Sequence, residues 1–269
     1  MQLTHFHLLS SHLCDIIGLE NQLAKIHNSS LDTSHSARNL GFIFDEHLTF
    51  ADQITALSKA CYYHIRQLRC IQPYLDSSTA CTIATSIVHS KLDYCNSLYY
   101  KLPKSQLTHL QHIQNSLART VMKAPKSRHI TPILRSLHWL RITERIEYKL
   151  LSLTYNVLTT TQPPYLHELI STQRPRSTRS SSVVTLTRPP LSSSLKITDR
   201  SFLYASPCLW NQLPFSLRKP HSGTSSSISC SPIFSPITSS FNSPLCTSIT
   251  PSLFYSRLKT YLFYKSYPP

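Results

Sequence analysis

From Asp52 onward the apolar residues fall at steps of three and four: Ile54, Leu57, Cys61, Ile65 and Leu68. That spacing lines one face of an α-helix and does not suit a strand, whose sides alternate at every residue. Pro73 ends the run, and the pattern resumes near Ser77 or Ser78 with Ala80, Ile83, Ala84, Ile87, Val88 and Leu92. Beyond Pro103 a third stripe carries Leu107, Leu110, Ile113, Leu117 and Val121, with Lys104, His109, Gln111, His112, Asn115 and Arg119 on the opposite face. Thr131-Pro132 reads as an N-cap and first helical residue, opening a short helix to about His138. A long helix over about Thr143–Thr159 turns Ile146, Leu150, Leu153 and Val157 inward and stops at Pro163-Pro164. These segments predict a mainly α fold, a compact helical bundle over 52–170.

A short strand or hairpin over 36–51 precedes the bundle. Leu40-Gly-Phe-Ile-Phe44 suits a buried strand, Asp45-Glu46 ends it, and Leu48-Thr49-Phe50 continues the pairing. Asp52 is the expected N-cap of the first helix. Residues 1–35 read as an irregular segment. From 171 to 252 the chain is Ser/Thr/Pro-rich and irregular, with a short strand expected at Val183–Leu186 and an aromatic patch over Phe202–Leu217. Within it, 221–252 contains no Asp, Glu, Lys or Arg, the composition of a low-complexity tail. Phe254, Leu258, Tyr261 and Leu262 then mark a short terminal helix within 253–269.

Several chemistries lack their residues. The chain has three glycines, Gly18, Gly41 and Gly223, too far apart for a phosphate-cradling loop. Two-metal phosphoryl transfer needs clustered carboxylates. After residue 60 the acids are scattered as Asp76, Asp93, Glu144, Glu147, Glu168 and Asp199, and the only adjacent acidic pair is Asp45-Glu46. That pair reads as a turn and helix start, with a metal site at a strand end as the other reading. Cys61, His64 and Cys70 lack the second close pair that structural zinc requires. The eight cysteines hold no C-x-x-C spacing and read as reduced intracellular thiols, mostly core filler. No apolar stretch is long enough to span a membrane. Cysteines, histidines and serines are too plentiful for any one pairing to indicate a nucleophile.

Charge is the remaining signal. Formal net charge is +15, yet residues 1–60 hold three basic against six acidic side chains. The positive field therefore belongs to the rest of the chain. It is densest over 101–149, at Lys101, Lys104, Arg119, Lys123, Lys126, Arg128, Arg135, Arg141, Arg145 and Lys149. Arg145 has Glu144 and Glu147 as candidate partners. The other nine are the candidate nucleic-acid-binding residues, suited to phosphate contacts that hold a nucleic acid without reading its sequence. A merely solvated basic face is the alternative.

Four segments in order, Ser36-Ala-Arg-Asn-Leu-Gly-Phe-Ile-Phe-Asp45, Ser90-Lys-Leu-Asp-Tyr-Cys-Asn-Ser97, Leu110-Gln-His-Ile-Gln-Asn-Ser-Leu-Ala-Arg119 and His129-Ile-Thr-Pro-Ile-Leu-Arg-Ser-Leu-His-Trp-Leu140, carry a resemblance. So do Pro164-Tyr-Leu166, Arg176-Ser-Thr-Arg-Ser180, Trp210-Asn-Gln-Leu-Pro214 and the terminal Phe254–Phe263 helix. Together, over roughly residues 16–269, they resemble the distal part of the reverse transcriptase of non-LTR retrotransposons of the jockey/chicken-repeat type. The resemblance implies a hairpin near the primer grip at Leu40-Gly41. It also implies a helical thumb over 52–170 that grips an RNA/DNA template–primer duplex by its phosphates. The family's catalytic aspartate pair lies upstream in the palm, and nothing of that kind stands here. Residues 1–15 fall outside the resemblance, which implies a start within a truncated copy.

The chain is therefore expected to be a polymerase fragment without polymerase activity. It would be intracellular, with no cofactor of its own (intact relatives use magnesium), a nucleic-acid partner and no membrane. A non-enzymatic nucleic-acid-binding module and a non-functional translated relic are the competing readings. The relic reading rests on the Leu40–Phe44 strand, which would expose an unpaired edge once its sheet is lost.

Overall fold

In the computed structural model, β1 (Ser36–Asn39) pairs antiparallel with β2 (Phe42–Asp45), Ser36 opposite Asp45 and Asn39 opposite Phe42. Leu40 and Gly41 make the two-residue connection, both with positive φ (48° and 82°). That is the sign pattern of a type I′ turn, whose twist matches the flanking strands. The strand expected from Leu40 thus begins two residues later, because Leu40-Gly41 is the turn. Alternation puts Phe42 and Phe44 on one buried face. The Phe42 ring lies 4.8 Å from Phe44, 5.4 Å from Phe50 and 6.1 Å from Tyr99, centroid to centroid.

The hairpin is tied down along its length. The Ile43 N–H donates to the buried Gln53 Oε1 at 3.0 Å, and the Tyr94 hydroxyl donates to the Leu40 carbonyl at 2.5 Å. On the outer side of β2 the Ile43 N–H is thus taken by a glutamine amide, while β1 pairs along the other side and keeps its own outer face exposed. Leu48-Thr49-Phe50 does not extend the sheet. Leu48 and Phe50 take left-handed φ values of 49° and 58° and turn the chain into a helix.

The structure describes residues 35–173, 183–190, 198–218 and 250–268. The expected N-terminal irregular segment and the charge-free serine-rich run lie outside these residues, apart from their edges. So do Arg174, Arg176, Arg179 and Lys196. Backbone contacts divide the chain into two compact units, Met1–Leu137 and His138–Pro269, a boundary that falls inside the expected 52–170 bundle.

The first unit is helical beyond the hairpin. Helix α1 (Ala51–Ile71) buries Ile54, Leu57, Cys61, Ile65 and Leu68, the stripe read from the sequence. It begins before Asp52, so that residue stands in the first turn, where its charge meets the positive end of the helix. Asp76 caps α2 (Ser77–Ala84), accepting from Ser78 N at 2.9 Å and Thr79 N at 3.0 Å. A π-helical stretch (Thr85–His89) continues α2 into α3 (Ser90–Asp93). Helix α4 (Lys104–Val121) buries Leu110, Ile113, Leu117 and Val121. Helix α5 (Ile130–Ser136) starts two residues earlier than it would with Thr131 as its cap, because His129 stands at the N-cap. Pro132 is accommodated because the first-turn N–H groups have no intrahelical acceptor.

Helices α1 and α4 lie side by side and parallel. Ser58 Oγ meets His109 Nε2 at 3.2 Å, and Arg69 Nη2 donates to Thr120 Oγ1 at 3.5 Å. Both pairs are separated by the same 51 residues, the signature of two helices advancing together.

The second unit comprises α6 (Ile142–Thr160), α7 (Pro164–His167), α8 (Phe202–Trp210) and α9 (Pro251–Ser266). Phe254 of α9 stacks on Tyr155 of α6 at 3.8 Å and lies 6.2 Å from Trp210 of α8. The Trp210 indole donates to the Val184 carbonyl at 3.1 Å. Asn211 both donates to and accepts from the Leu186 backbone, at 2.9 Å each way. Instead of the expected strand, Val183–Leu186 forms one isolated bridge, Leu186 with Thr172. Lys265 holds Glu147 at 2.6 and 2.8 Å, so Glu147 has its partner on the terminal helix.

Glu144 is buried nearby, and its Oε2 has no hydrogen-bond partner among the described residues. Burial, reinforced by the Glu147 charge, raises its carboxyl above the ordinary value. A carboxyl raised by folding favours the protonated form in the native state. Its contribution is intact in acid and is lost as pH rises from the unfolded value through the raised one. Glu144→Gln should therefore be more stable than the parent chain at neutral pH. The two should converge towards pH 4, as read by chemical denaturation across pH.

Candidate nucleic-acid interface

Between Asp93 and Glu144 the sequence has no acid and eight Lys or Arg, at Lys101, Lys104, Arg119, Lys123, Lys126, Arg128, Arg135 and Arg141. The fold decides where they point. Because α4 and α5 bury their apolar stripes, their charged positions are turned away from those stripes, although Gln114 and Thr120 of α4 are buried as well. Lys104 opens α4, and Lys123, Lys126 and Arg128 sit in the connection between α4 and α5. Arg135 lies near the end of α5, and all five are exposed. None of them is in an ion pair with an acid among the described residues. Lys101 is also exposed, its Nζ 5.9 Å from the Tyr100 ring centroid. Arg119 is half-buried in the last turn of α4, and its buried Nε has no partner among the described residues.

Arg141 and Lys149 belong to the second unit. The Arg141 guanidinium lies 5.3 Å from the Tyr267 ring centroid, a cation–π contact that helps hold the end of α9. The Tyr267 hydroxyl donates to the Trp139 carbonyl at 2.7 Å, and burial raises its pKa to about 12. Lys149 is half-buried on α6. The first unit thus brings together seven of the nine nominated cations.

A second feature of that unit is not legible from charge alone. The parallel helices leave a concavity of about 460 Å³ lined by Lys59, Tyr62, Tyr63 and Arg66 of α1 and by His109 of α4. A neighbouring one of about 280 Å³ is lined by Tyr62 again, with His112, Asn115, Ser116 and Arg119 of α4. No acid lines either. Tyr62 and Tyr63 are 40 % and 59 % exposed, large rings left in water beside cations. The α4 side of this groove is the polar helix face legible in the sequence. The α1 side escapes sequence reasoning; its signal is a tyrosine pair following Cys61 on the edge of the apolar stripe.

Asp45-Glu46 serves a turn. The Asp45 carboxylate accepts from Thr49 N at 2.7 Å, Thr49 Oγ1 at 2.8 Å and Phe50 N at 2.6 Å. Partial burial would raise its pKa, but these bonds to the ionised form outweigh it and leave the group lowered. Glu46 lies instead against His35 at 3.1 Å and His47 at 3.2 Å. No cluster of three or more metal-ligating side chains occurs among the described residues. Cys61 is core, its thiol pushed up to about 11 by burial, and Cys95 is buried as well. Cys70 is exposed, and Cys81 and Cys208 are half-buried, so core filling describes only part of the set. Cys14, Cys230 and Cys246 lie outside the described residues. No helix among the described residues is long and apolar enough to cross a membrane.

Asp45→Ala should cost about 1–2 kcal/mol by loss of the Thr49 and Phe50 bonds. Millimolar magnesium should leave the thermal midpoint of the parent chain unchanged. A magnesium-dependent rise that disappears in the variant would support the metal reading. Comparison with protein-family models, with curated proteins and with solved structures finds no match to this chain.

Proposed function

We propose that this chain is a polymerase-derived fragment that binds the phosphate backbone of an RNA–DNA template–primer duplex and performs no catalysis. The origin rests on the ordered resemblance to non-LTR retrotransposon reverse transcriptases. The binding rests on one observation: fifty residues without an acid whose cations Lys104, Lys123, Lys126, Arg128 and Arg135 stand exposed on one compact unit. A phosphate next to such a side chain meets no competing carboxylate from the same segment. Neutralising each phosphate releases a condensed counterion, so affinity comes largely from salt-dependent entropy and carries little sequence preference.

The hairpin bears on the relic reading. A strand stranded without its sheet would leave backbone donors open. Here Ile43 N is bonded to Gln53 and Leu40 O to Tyr94, which supports a chain able to fold by itself. The resemblance places the catalytic aspartates upstream, so magnesium-dependent primer extension by the purified chain, abolished by Asp45→Ala, would overturn the non-catalytic part.

The measurement is fluorescence anisotropy with a labelled blunt RNA–DNA hybrid, titrated against salt. The expected affinity at low salt is on the order of 10 µM or tighter, falling steeply with salt. Lys126→Glu with Arg128→Glu should weaken binding equally for unrelated sequences and reduce the slope of log K against log salt by about 2. No binding of the hybrid at low salt would refute the proposal.

A further inference from the structure

The geometry points to a second, separate nucleic-acid site: the groove between α1 and α4 takes an unpaired stretch of nucleic acid, stacking its bases on Tyr62 and Tyr63. The inference shares the nucleic-acid reading above but, Arg119 apart, uses different residues.

Three observations carry it. First, the rings are available. Tyr62 and Tyr63 are large, 40 % and 59 % exposed, and lie together, both lining the larger concavity and Tyr62 the smaller one as well. Within a duplex the faces of each base are covered by its neighbours, so away from the duplex ends a protein ring can stack only on a base that is unpaired. Second, the electrostatics match a strand. Lys59 and Arg66 flank the tyrosines on α1, Arg119 closes the far end on α4, and no carboxylate lines the groove. Third, the polar groups are oriented. Ser58 Oγ gives its proton to the Ile54 carbonyl at 2.6 Å, so in its 3.2 Å contact with His109 the imidazole Nε2 is the donor. Nδ1 of the neutral ring is then an acceptor. Gln111 Nε2 donates to Asn115 Oδ1 at 2.9 Å, which fixes that amide and leaves its NH₂ as the group to donate. An acceptor on one concavity and a donor on the other can both meet base edges. The two concavities, of about 460 and about 280 Å³, share Tyr62 in their lining and so form one continuous groove.

The test uses the full chain and three labelled probes: a ten-nucleotide oligothymidylate, an abasic strand of equal length, and the blunt RNA–DNA hybrid. The parent chain should bind oligothymidylate with a log–log salt slope of about −2, from Lys59, Arg66 and Arg119. It should bind the abasic strand more weakly. Tyr62→Ala with Tyr63→Ala should lower oligothymidylate affinity by about tenfold or more, and Tyr62→Phe with Tyr63→Phe should keep it. Neither pair should change binding of the hybrid, which also reports that the variants are folded. Oligothymidylate binding that is absent, unchanged in the alanine pair, or equal to that of the abasic strand would overturn the inference. The hybrid arm is independent: hybrid binding without a tyrosine-dependent strand site leaves the duplex proposal standing alone. Tyrosine-dependent strand binding without hybrid binding does the reverse.

Discussion

The first unit depends on two helices that lie parallel. Ile54, Leu57, Cys61, Ile65 and Leu68 of α1 are buried, as are Leu110, Ile113, Leu117 and Val121 of α4. Removing that apolar surface from water is the main favourable term. The cross-helix bonds Ser58–His109 and Arg69–Thr120 set the register in which it happens. Everything outward follows from that register. The side of α1 carrying Lys59, Tyr62 and Arg66 comes beside the side of α4 carrying His112, Asn115 and Arg119. The hairpin is fastened to the same frame through Gln53, a residue of α1's first turn.

Much of this is legible in the sequence, and the reason is periodicity. Long amphipathic helices announce themselves, and α1, α4 and α6 lie within a residue or two of where their stripes place them. Ends are less legible because caps can come from outside the helix. Asp45, five residues before Phe50, holds the approach to α1 that Asp52 is expected to cap. The hairpin is half legible: Phe42 and Phe44 stand out as apolar, whereas the pairing of polar, exposed Ser36–Asn39 has no hydrophobic signature. The basic segment is legible as composition. Its division between two units is not, because nothing in the local pattern at Leu137-His138 marks a change of packing partner.

Several segments that carry the family resemblance have structural work in this fold. Trp210 and Asn211 clasp the backbone of Val184 and Leu186, replacing hydrogen bonds that a strand partner would have supplied. Tyr94 secures the hairpin turn, and Asn96 bonds Asp93 at 3.2 Å. With three glycines in the whole chain, left-handed turns fall to ordinary residues, among them Leu40, Phe50, Cys95, Lys101, Lys123 and Thr161. Such conformations are uncommon for side chains with a Cβ and persist only where their surroundings impose them. Lys101 and Lys123, two of the nominated cations, are thereby fixed at either end of α4.

The parallel run of α1 and α4 also bears on how the chain folds. Two consecutive helices can meet as soon as a short loop closes, but parallel neighbours need a crossover. Here the partners are some fifty residues apart. Closing that loop costs entropy before the packing returns anything, which raises contact order and slows folding relative to a helical hairpin of the same size. During synthesis, α1 is complete long before Lys104–Val121 has left the ribosome. Over that interval its apolar stripe lacks its principal partner, and it is then that the nascent chain is most exposed to aggregation and most dependent on chaperones.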